Sequence, residues 1–342
     1  MDAAEGRRAR PDALKMTSVH RLPMRSGILV ALGGNALHRA GGTASWAEAR
    51  ERMRGTVGSL TAIARTGAEL VLTHGNGPQV GLSLRQNELS DHEVPRRPLD
   101  VLDAETQGQI GYLIQTELGA ALRRARVDRS VLPLISRMEV RARDPAFRTP
   151  TKPIGRFYTE EESRLARKQF GWTMQHDGAR HGWRRLVPSP RPIRWLEGPA
   201  VRTLLAAGLA KQWIPVVAGG GGVPVVRRAG GLFEGVEAVI DKDLGAALVA
   251  KELELPTLAI VTDVPGAAVS FGRPTERWLG RVTLEELERF QGRGEFSSGS
   301  MGPKVEAGIE FLRSGGQRFI ITDIPSLPRA LAGKAGTRVT VE

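Results

Sequence analysis

Cysteine is absent from this 342-residue chain. Without thiols the protein cannot form disulfides, build zinc–thiolate sites or use a cysteine nucleophile. The absence is typical of proteins that work in a reducing compartment, so we expect a cytoplasmic location. No apolar run approaches the roughly 20 residues that a membrane-spanning helix needs, and we therefore expect no membrane partner.

Lysine is scarce, although the chain is strongly basic. The 49 Lys and Arg residues exceed the 37 Asp and Glu residues, which gives a formal net charge of +12, yet only eight of the cations are lysines. The arginines are spread along the chain without the basic and aromatic clustering of a nucleic-acid-binding face, so we expect no nucleic-acid partner. Where arginine is the usual cation, a retained lysine indicates a need for a compact ammonium. Lys152, Lys242 and Lys304 lie inside motif-like segments.

Long irregular segments are also few. From Ile28 onward, the sequence predicts strands and helices that alternate. The apolar runs predict strands, and capping residues, prolines and glycines predict the helices between them. Repeated alternation of this kind predicts an α/β fold with a mostly parallel sheet and helices on both faces. The predicted strands are Ile28–Leu32, Glu69–Thr73, Val131–Ser136, Ile193–Trp195, Ile214–Ala218, Thr257–Thr262 and Phe319–Thr322.

Two segments depart from this alternation. Residues 1–26 carry six Lys or Arg and no continuous apolar segment, so we expect a disordered basic tail rather than a secretory signal, with Met16 or Met24 as alternative starts. Residues 137–188 are rich in charge, Pro, Gly and aromatics without a clean period. A structureless loop of that length is uncommon inside a compact domain, which predicts an inserted subdomain or lid.

Four glycine-rich turns follow predicted strands or open predicted helices. Glycine lets backbone amides approach a ligand closely, and successive amides form anion-binding nests. In open α/β sheets ligands bind at the carboxyl ends of the strands, so turns on one edge predict a phosphate-binding crevice. The chain has no GxxxxGK[ST] loop and no protein-kinase HRD or DFG set, so phosphate transfer would need another fold. The turns are Gly33-Gly34-Asn35, Gly75-Asn76-Gly77, Gly219–Gly222 and Ser298–Lys304.

Six motifs follow one another along the chain: Val30–Leu37, Thr73–Gly81, Thr151–Gly155, Pro188–Pro192, Asp241–Asp243 and Ser300–Lys304. In this order they resemble those of the carbamate kinase family, a branch of the amino acid kinase superfamily. The resemblance runs from about Ile28 to Val339, nearly the whole chain.

The resemblance implies a three-layer αβα sandwich that forms a single domain over residues 27–342. Its acceptor-binding lobe would span residues 27–212 and contain a protruding subdomain at 137–188, and its nucleotide-binding lobe would span 213–342. The implied reaction is reversible transfer of the γ-phosphoryl group of ATP to carbamate, with Mg²⁺ accompanying ATP or ADP. The products are carbamoyl phosphate and ADP, and family members in arginine metabolism run the reaction toward ATP. A homodimer is also implied.

The resemblance assigns roles to individual residues. Lys152, Lys242, Asp243 and Lys304 would be catalytic, with Lys152 supplied by the protruding subdomain because Ala31-Leu32-Gly33 lacks the lysine that many superfamily members carry there. The carbamate side would be formed by Gly33, Gly34, Asn35, Gly75, Asn76 and Gly77. The nucleotide side would be formed by Gly219, Gly220, Gly221, Asp241, Thr262, Asp263, Met301 and Gly302. No protein metal ligand is predicted.

Two alternatives remain open at the level of sequence. The chain could be another amino acid kinase acting on a different small acid, which a lysine in the first turn would have favoured. It could also be a nucleotide-binding regulatory protein without catalysis, although all three motif lysines are present. One further departure lies at Pro265–Ala268, where the family usually has an acidic residue and a tyrosine, so the adenine pocket is expected to pack differently.

Overall fold

The computed structural model describes residues 27–34, 45–178, 182–297 and 300–341. The predicted tail at 1–26 and Asn35, a predicted acceptor residue, lie outside the described residues. Among the described residues, no helix is both long and apolar enough to cross a membrane.

An eight-stranded, mostly parallel sheet forms the centre of the described structure, as predicted. The strands are β1 (Gly27–Leu32), β2 (Glu69–His74), β3 (Ser130–Pro133), β9 (Trp213–Val216), β12 (Thr257–Thr262), β15 (Arg281–Thr283), β16 (Arg318–Asp323) and β17 (Thr337–Thr340). Their order across the sheet is β15-β17-β16-β12-β1-β2-β9-β3. The β16–β17 pair is antiparallel, and the other neighbours run parallel.

Helices cover both faces of this sheet. Those that the structure describes are α1 (Trp46–Ala64), α2 (Gly77–Ser90), α3 (Leu99–Arg124), α4 (Glu160–Phe170), α5 (Gly198–Ala206), α6 (Lys242–Glu252), α7 (Leu284–Gly292), α8 (Met301–Arg313) and α9 (Leu327–Leu331). Side-chain caps fix several starts: Ser45 accepts from the Glu48 amide at α1, and Thr283 and Glu286 form a capping box at α7.

The central strand β1 shows why the sheet needs two helical layers. All six of its residues are buried, and successive side chains point to opposite faces. Leu29 and Ala31 pack into a core with α6 and α8, whereas Val30 and Leu32 pack into a second core with α1 and α3. The result is the predicted three-layer αβα sandwich.

The predicted insert at 137–188 contains regular structure that its irregular composition did not reveal. Strands β5 (Lys152–Tyr158), β6 (Thr173–Asp177) and β7 (Gly182–Val187) form an antiparallel sheet in the order β5-β7-β6, flanked by α4. A separate sheet contains β4 (Arg137–Val140), β8 (Pro192–Trp195), β10 (Val223–Arg227) and β11 (Phe233–Gly235), in the order β11-β10-β4-β8. The domain and lobe boundaries given above stay predictions.

A two-stranded hairpin lies beyond the central sheet. It pairs β13 (Ala268–Val269) with β14 (Arg277–Trp278). Short strands such as these have too few residues to establish a sequence period, and the sequence did not predict them. The predicted strand ends also shift by a few residues: β3 ends at Pro133 rather than Ser136, and β9 ends at Val216 rather than Ala218.

Candidate active site

The turns that follow β1 and β2 meet at the carboxyl edge of the central sheet. The Gly33 amide donates to the Val261 carbonyl at 3.0 Å, and the Gly75 amide donates to the Leu32 carbonyl at 2.9 Å. A Cβ on Gly75 would lie 3.3 Å from the Gly34 nitrogen and 3.7 Å from Cδ of Lys242. The two predicted acceptor turns therefore lie side by side, with the stem of Lys242 against them.

The Gly219–Gly222 turn closes over this edge because it has no side chains. Gly220, Gly221 and Gly222 have φ values of 68°, 99° and 92°, a region that disfavours residues with a Cβ. A Cβ on Gly219 would lie 2.3 Å from the His74 ring, and a Cβ on Gly220 would lie 2.3 Å from Nδ2 of Asn76. The turn therefore packs directly on His74, which ends β2, and on Asn76. Larger side chains in the turn would force it away from these two residues.

Asp243 joins two of the predicted catalytic lysines. Its Oδ1 lies 2.5 Å from Nζ of Lys242, and its Oδ2 lies 3.1 Å from Nζ of Lys304. Lys242 and Asp243 belong to the first turn of α6, whose N-cap Asp241 accepts from the Asp243 amide at 2.8 Å. Lys304 lies in the first turn of α8. Two helix N-termini and two ammonium groups thus converge, which is a favourable setting for phosphate oxygens.

The charges of this cluster depend on one another. Burial raises the pKa of Asp243, but the positive charges of Lys242 and Lys304 and their hydrogen bonds outweigh it and bring the pKa down to about 2. Burial lowers the pKa of Lys242, while the Asp243 carboxylate acts in the opposite direction. The Asp243 carboxylate therefore offsets the repulsion between the two ammonium groups and holds them close together.

Lys152 reaches the same region from the inserted sheet. It is the first residue of β5, and its Nζ donates to the Ile240 carbonyl at 3.1 Å and lies 3.3 Å from Oδ2 of Asp241. Asp241 thus caps α6 with one carboxylate oxygen and pairs with Lys152 through the other. The side chain of Lys152 keeps 27% of its surface exposed, so its ammonium remains accessible from solvent.

His74, the last residue of β2, is a neutral ring that lies against Gly219. It is 1% exposed, and its Nδ1 lies 3.1 Å from the Gly75 carbonyl, which that nitrogen satisfies as a donor. Burial lowers the pKa of His74 to about 4, with the Lys242 charge acting in the same direction. Its hydrogen bond to the backbone and its lowered pKa describe a buried, neutral imidazole.

A cavity of about 380 Å³ lies next to the start of α8. Its floor includes Ala268, where the sequence departs from the family, and two exposed aromatic rings, Phe271 and Trp278, whose centroids are 6.1 Å apart at its mouth. Asp263 and Met301, both predicted nucleotide residues, also line it. The cavity is large enough for a nucleobase, and Met301, which begins the helix that carries Lys304, lines it.

The remaining predicted residues lie where the chain enters helices or leaves strands. Gly77 begins α2, and Gly302 lies in the first turn of α8, its amide donating to the Ser297 carbonyl at 2.8 Å. Thr262 ends β12 and donates from its hydroxyl to Asp263 at 3.0 Å. The roles assigned to all these residues stay predictions.

Three polar residues on α3 support the site and were not predicted. Asp103 and Thr106 accept hydrogen bonds from Nδ2 of Asn76, and Gln107 exchanges two hydrogen bonds with the backbone of Ser136. A sequence signal was available. The three occupy one buried helical face at i, i+3 and i+4 spacing, beside apolar residues of the same helix.

Residues 27–323 match the Amino acid kinase family. The chain is 44% identical over 315 residues to a protein named carbamate kinase from Pyrococcus horikoshii, covering 92% of this chain and 98% of the relative. A protein of the same name from Trichomonas vaginalis is 41% identical over 314 residues, covering 91% of this chain and 98% of the relative.

The fold is also similar to solved structures. The structure of carbamate kinase from Giardia lamblia bound to AMP-PNP superimposes with a TM-score of 0.84 and 36% identity, covering 92% of this chain and 98% of that one. The similarity therefore extends over nearly the whole length of both proteins.

Proposed function

The chain belongs to the amino acid kinase family, and we propose that it is a phosphotransferase that moves the γ-phosphoryl group of ATP reversibly to carbamate. The products are carbamoyl phosphate and ADP. Relatives named carbamate kinase, from 39% to 44% identical over more than nine tenths of the chain, support this reaction over transfer to a different small acid.

One geometric observation carries the proposal. Lys242 and Lys304 are held together by Asp243, and the glycine turns after β1 and β2 lie against Lys242. This arrangement places fixed positive charge between a turn that can hold a small anion and a cavity that can hold a nucleoside. Phosphoryl transfer chiefly requires such positioning and charge stabilisation.

The chemistry follows from the charges. A carbamate oxygen attacks the γ-phosphorus, the bond between that phosphorus and the bridging oxygen breaks, and ADP leaves with the electron pair. Carbamate is already anionic, so no side chain has to remove a proton, which agrees with a buried His74 whose pKa burial lowers to about 4. The lysines offset the repulsion between two anions and the charge that develops on the transferred group.

We assign the individual roles as the motifs suggest. Lys152, Lys242 and Lys304 contact the transferring phosphoryl group and the neighbouring phosphates, and Asp243 orients the last two. Gly33, Gly34, Gly75 and Asn76 hold the acceptor. Gly219–Gly221, Asp241 and the residues around Asp263 and Met301 hold the nucleotide.

Mg²⁺ enters this proposal as part of the nucleotide substrate. Mg²⁺ is commonly bound by phosphate oxygens and water with only one or two carboxylates. Among the residues described, no group of three or more His, Cys, Asp or Glu could enclose a metal by itself. When bound together with the nucleotide, Mg²⁺ would neutralise phosphate charge.

We further propose the setting of the enzyme. The absence of cysteine favours the reducing cytoplasm. A homodimer and a place in arginine metabolism, where carbamoyl phosphate would be consumed to make ATP, rest on resemblance to the family. A nucleic-acid partner stays outside the proposal.

The direct test is ATP formation from ADP, Mg²⁺ and carbamoyl phosphate by the purified full-length protein. We expect turnover far above the spontaneous decay of carbamoyl phosphate, and its loss when EDTA removes Mg²⁺. Lys242→Ala, which leaves Asp243 paired with Lys304, is expected to lower kcat by roughly 10²–10³-fold, as removal of one transition-state donor does. Folded protein that forms no nucleoside triphosphate from ADP or from other nucleoside diphosphates would refute the proposal.

A further inference from the structure

The carboxyl group of Asp103 lies buried beside the acceptor turn with one oxygen unpaired. The residue is 1% exposed, and its Oδ1 accepts from Nδ2 of Asn76 at 3.0 Å. Its Oδ2 has no hydrogen-bond partner among the residues that the structure describes. A buried carboxyl with an unsatisfied oxygen is costly, and Asp103 does not lie in any motif that points to the phosphoryl site.

The hydrogen bonds of Asp103 fix the orientation of the Asn76 amide. Nδ2 of Asn76 donates to Oδ1 of Asp103 and to Oγ1 of Thr106, both at 3.0 Å. A carboxamide nitrogen has two hydrogens, so both are used and the amide cannot rotate without losing them. The amide oxygen is therefore held on the opposite side, where no described residue donates a hydrogen bond to it.

The free oxygen of Asn76 lies against the Gly219–Gly222 turn. A Cβ on Gly220 would lie 2.8 Å from this oxygen, so the oxygen lies directly beneath the glycine turn. The next residue of that turn, Gly221, packs on the Ile240 carbonyl that accepts from Lys152. Asp103 also lies within electrostatic reach of Lys152: burial raises the pKa of Asp103, and the lysine charge partly opposes this.

We propose that Oδ1 of Asn76 accepts a hydrogen bond from the amino group of the phosphoryl acceptor, and that Asp103 and Thr106 are positioning residues that aim it. This inference rests on the proposed function and specifies how the acceptor is chosen. Acetate carries a methyl group where carbamate carries NH₂. A fixed acceptor oxygen therefore favours carbamate over acetate, because a methyl group cannot donate a hydrogen bond to it. Sites built to pair one polar group reject analogues that lack it.

The test compares two acyl phosphates as phosphoryl donors to ADP. Carbamoyl phosphate and acetyl phosphate differ at the amino group, so the ratio of their kcat/KM values reports its recognition. Asp103→Ala and Thr106→Val should each lower this ratio, the former by roughly 10–100-fold, the effect of losing one well-placed hydrogen bond. Asp103→Asn keeps an acceptor oxygen for Asn76 and should preserve most of the ratio. KM for ADP should stay unchanged in all three.

Glu117→Ala is the matched control for loss of stability. Glu117 is another buried carboxylate of α3, but it pairs with Arg50 and Arg54 on α1. We expect this change to lower the melting temperature and leave the ratio unaltered. A ratio that stays constant in Asp103→Ala and Thr106→Val, or equal losses with both acyl phosphates, would overturn the inference while the enzyme activity stands. A wild-type protein inactive with carbamoyl phosphate would instead overturn the proposed function and this inference together.

Discussion

At the scale of single residues, the three motif lysines have unequal surroundings. Lys242 and Lys304 share the buried Asp243, whereas Lys152 pairs with Asp241 and is more exposed. An exposed lysine that contributes little to the core can be removed without loss of folding. Lys152 is therefore the residue at which charge stabilisation can be separated from stability.

Lys152→Ala is expected to lower kcat by roughly 10²–10⁴-fold, because it removes a charge-stabilising group from a preorganised site. Lys152→Arg should also be impaired, since a planar guanidinium does not replace a compact ammonium beside a small acceptor. The measurements are kcat and thermal unfolding, with little change expected in melting temperature. Lys168→Ala, in the same insert but on the exposed surface of α4, is the control. Near-normal turnover in Lys152→Ala would mean that another residue replaces the lysine that is absent from the turn after β1. Lys211 would be the next residue to test.

At the scale of elements, the inserted sheet is attached to α2 by close backbone packing. A Cβ on Gly81 of α2 would lie 3.3 Å from Cα of Gly155 on β5, three residues from Lys152. Val80 and Leu84 of α2 share a small core with Ile154 of β5. Glu88, further along α2, pairs with Arg156 and accepts from the Tyr158 hydroxyl. Strand β5, and Lys152 with it, is thus positioned by α2.

Gly81→Ala tests this coupling. The new methyl group would press on backbone, so we expect β5 to shift by a few tenths of an ångström and kcat to fall by about tenfold, as small misplacements of catalytic groups do. Gly58→Ala is the matched control, because it makes the same change on α1, where a Cβ would meet nothing within 4 Å. It should stabilise the protein by up to about 1 kcal/mol with no change in kcat. Equal kcat values in the two variants would show that the close contact does not position Lys152.

At the scale of the whole molecule, the site is assembled from segments far apart in sequence. The acceptor turns follow β1 and β2, the cations come from β5, α6 and α8, and the cavity lies beside the β13–β14 hairpin. A nucleotide that bridges the cavity and the lysines contacts only the folded state. Its binding therefore stabilises the fold by mass action.

ADP with Mg²⁺ is expected to raise the melting temperature. At a ligand concentration of about 100 times Kd the stabilisation is about 2.7 kcal/mol, which corresponds to a shift of several degrees for a domain of this size. EDTA should remove most of the shift, and Lys304→Ala should reduce it. Scanning calorimetry or dye-based thermal unfolding provides the readout. A shift that is the same with and without Mg²⁺ would contradict the role given to the metal–nucleotide complex.

The sequence by itself determined the layer architecture and the chemistry-bearing motifs. Buried apolar runs such as β1 and β12 specify strands covered on both faces, and glycine turns and rare lysines indicate the proposed phosphate site through local constraints that need no partner. The family resemblance, drawn from these motifs, is confirmed by the relatives.

Tertiary structure alone decided which of these residues meet. The pairing of Asp243 with Lys304, the approach of Lys152 to Asp241, and the close contact of Gly219 with His74 depend on segments separated by tens of residues or more. The support from Asp103, Thr106 and Gln107 was visible only as polar interruptions of an apolar helix face. What those side chains bond to depends on how α3 lies against the turns, because long-range packing rather than local pattern sets that register.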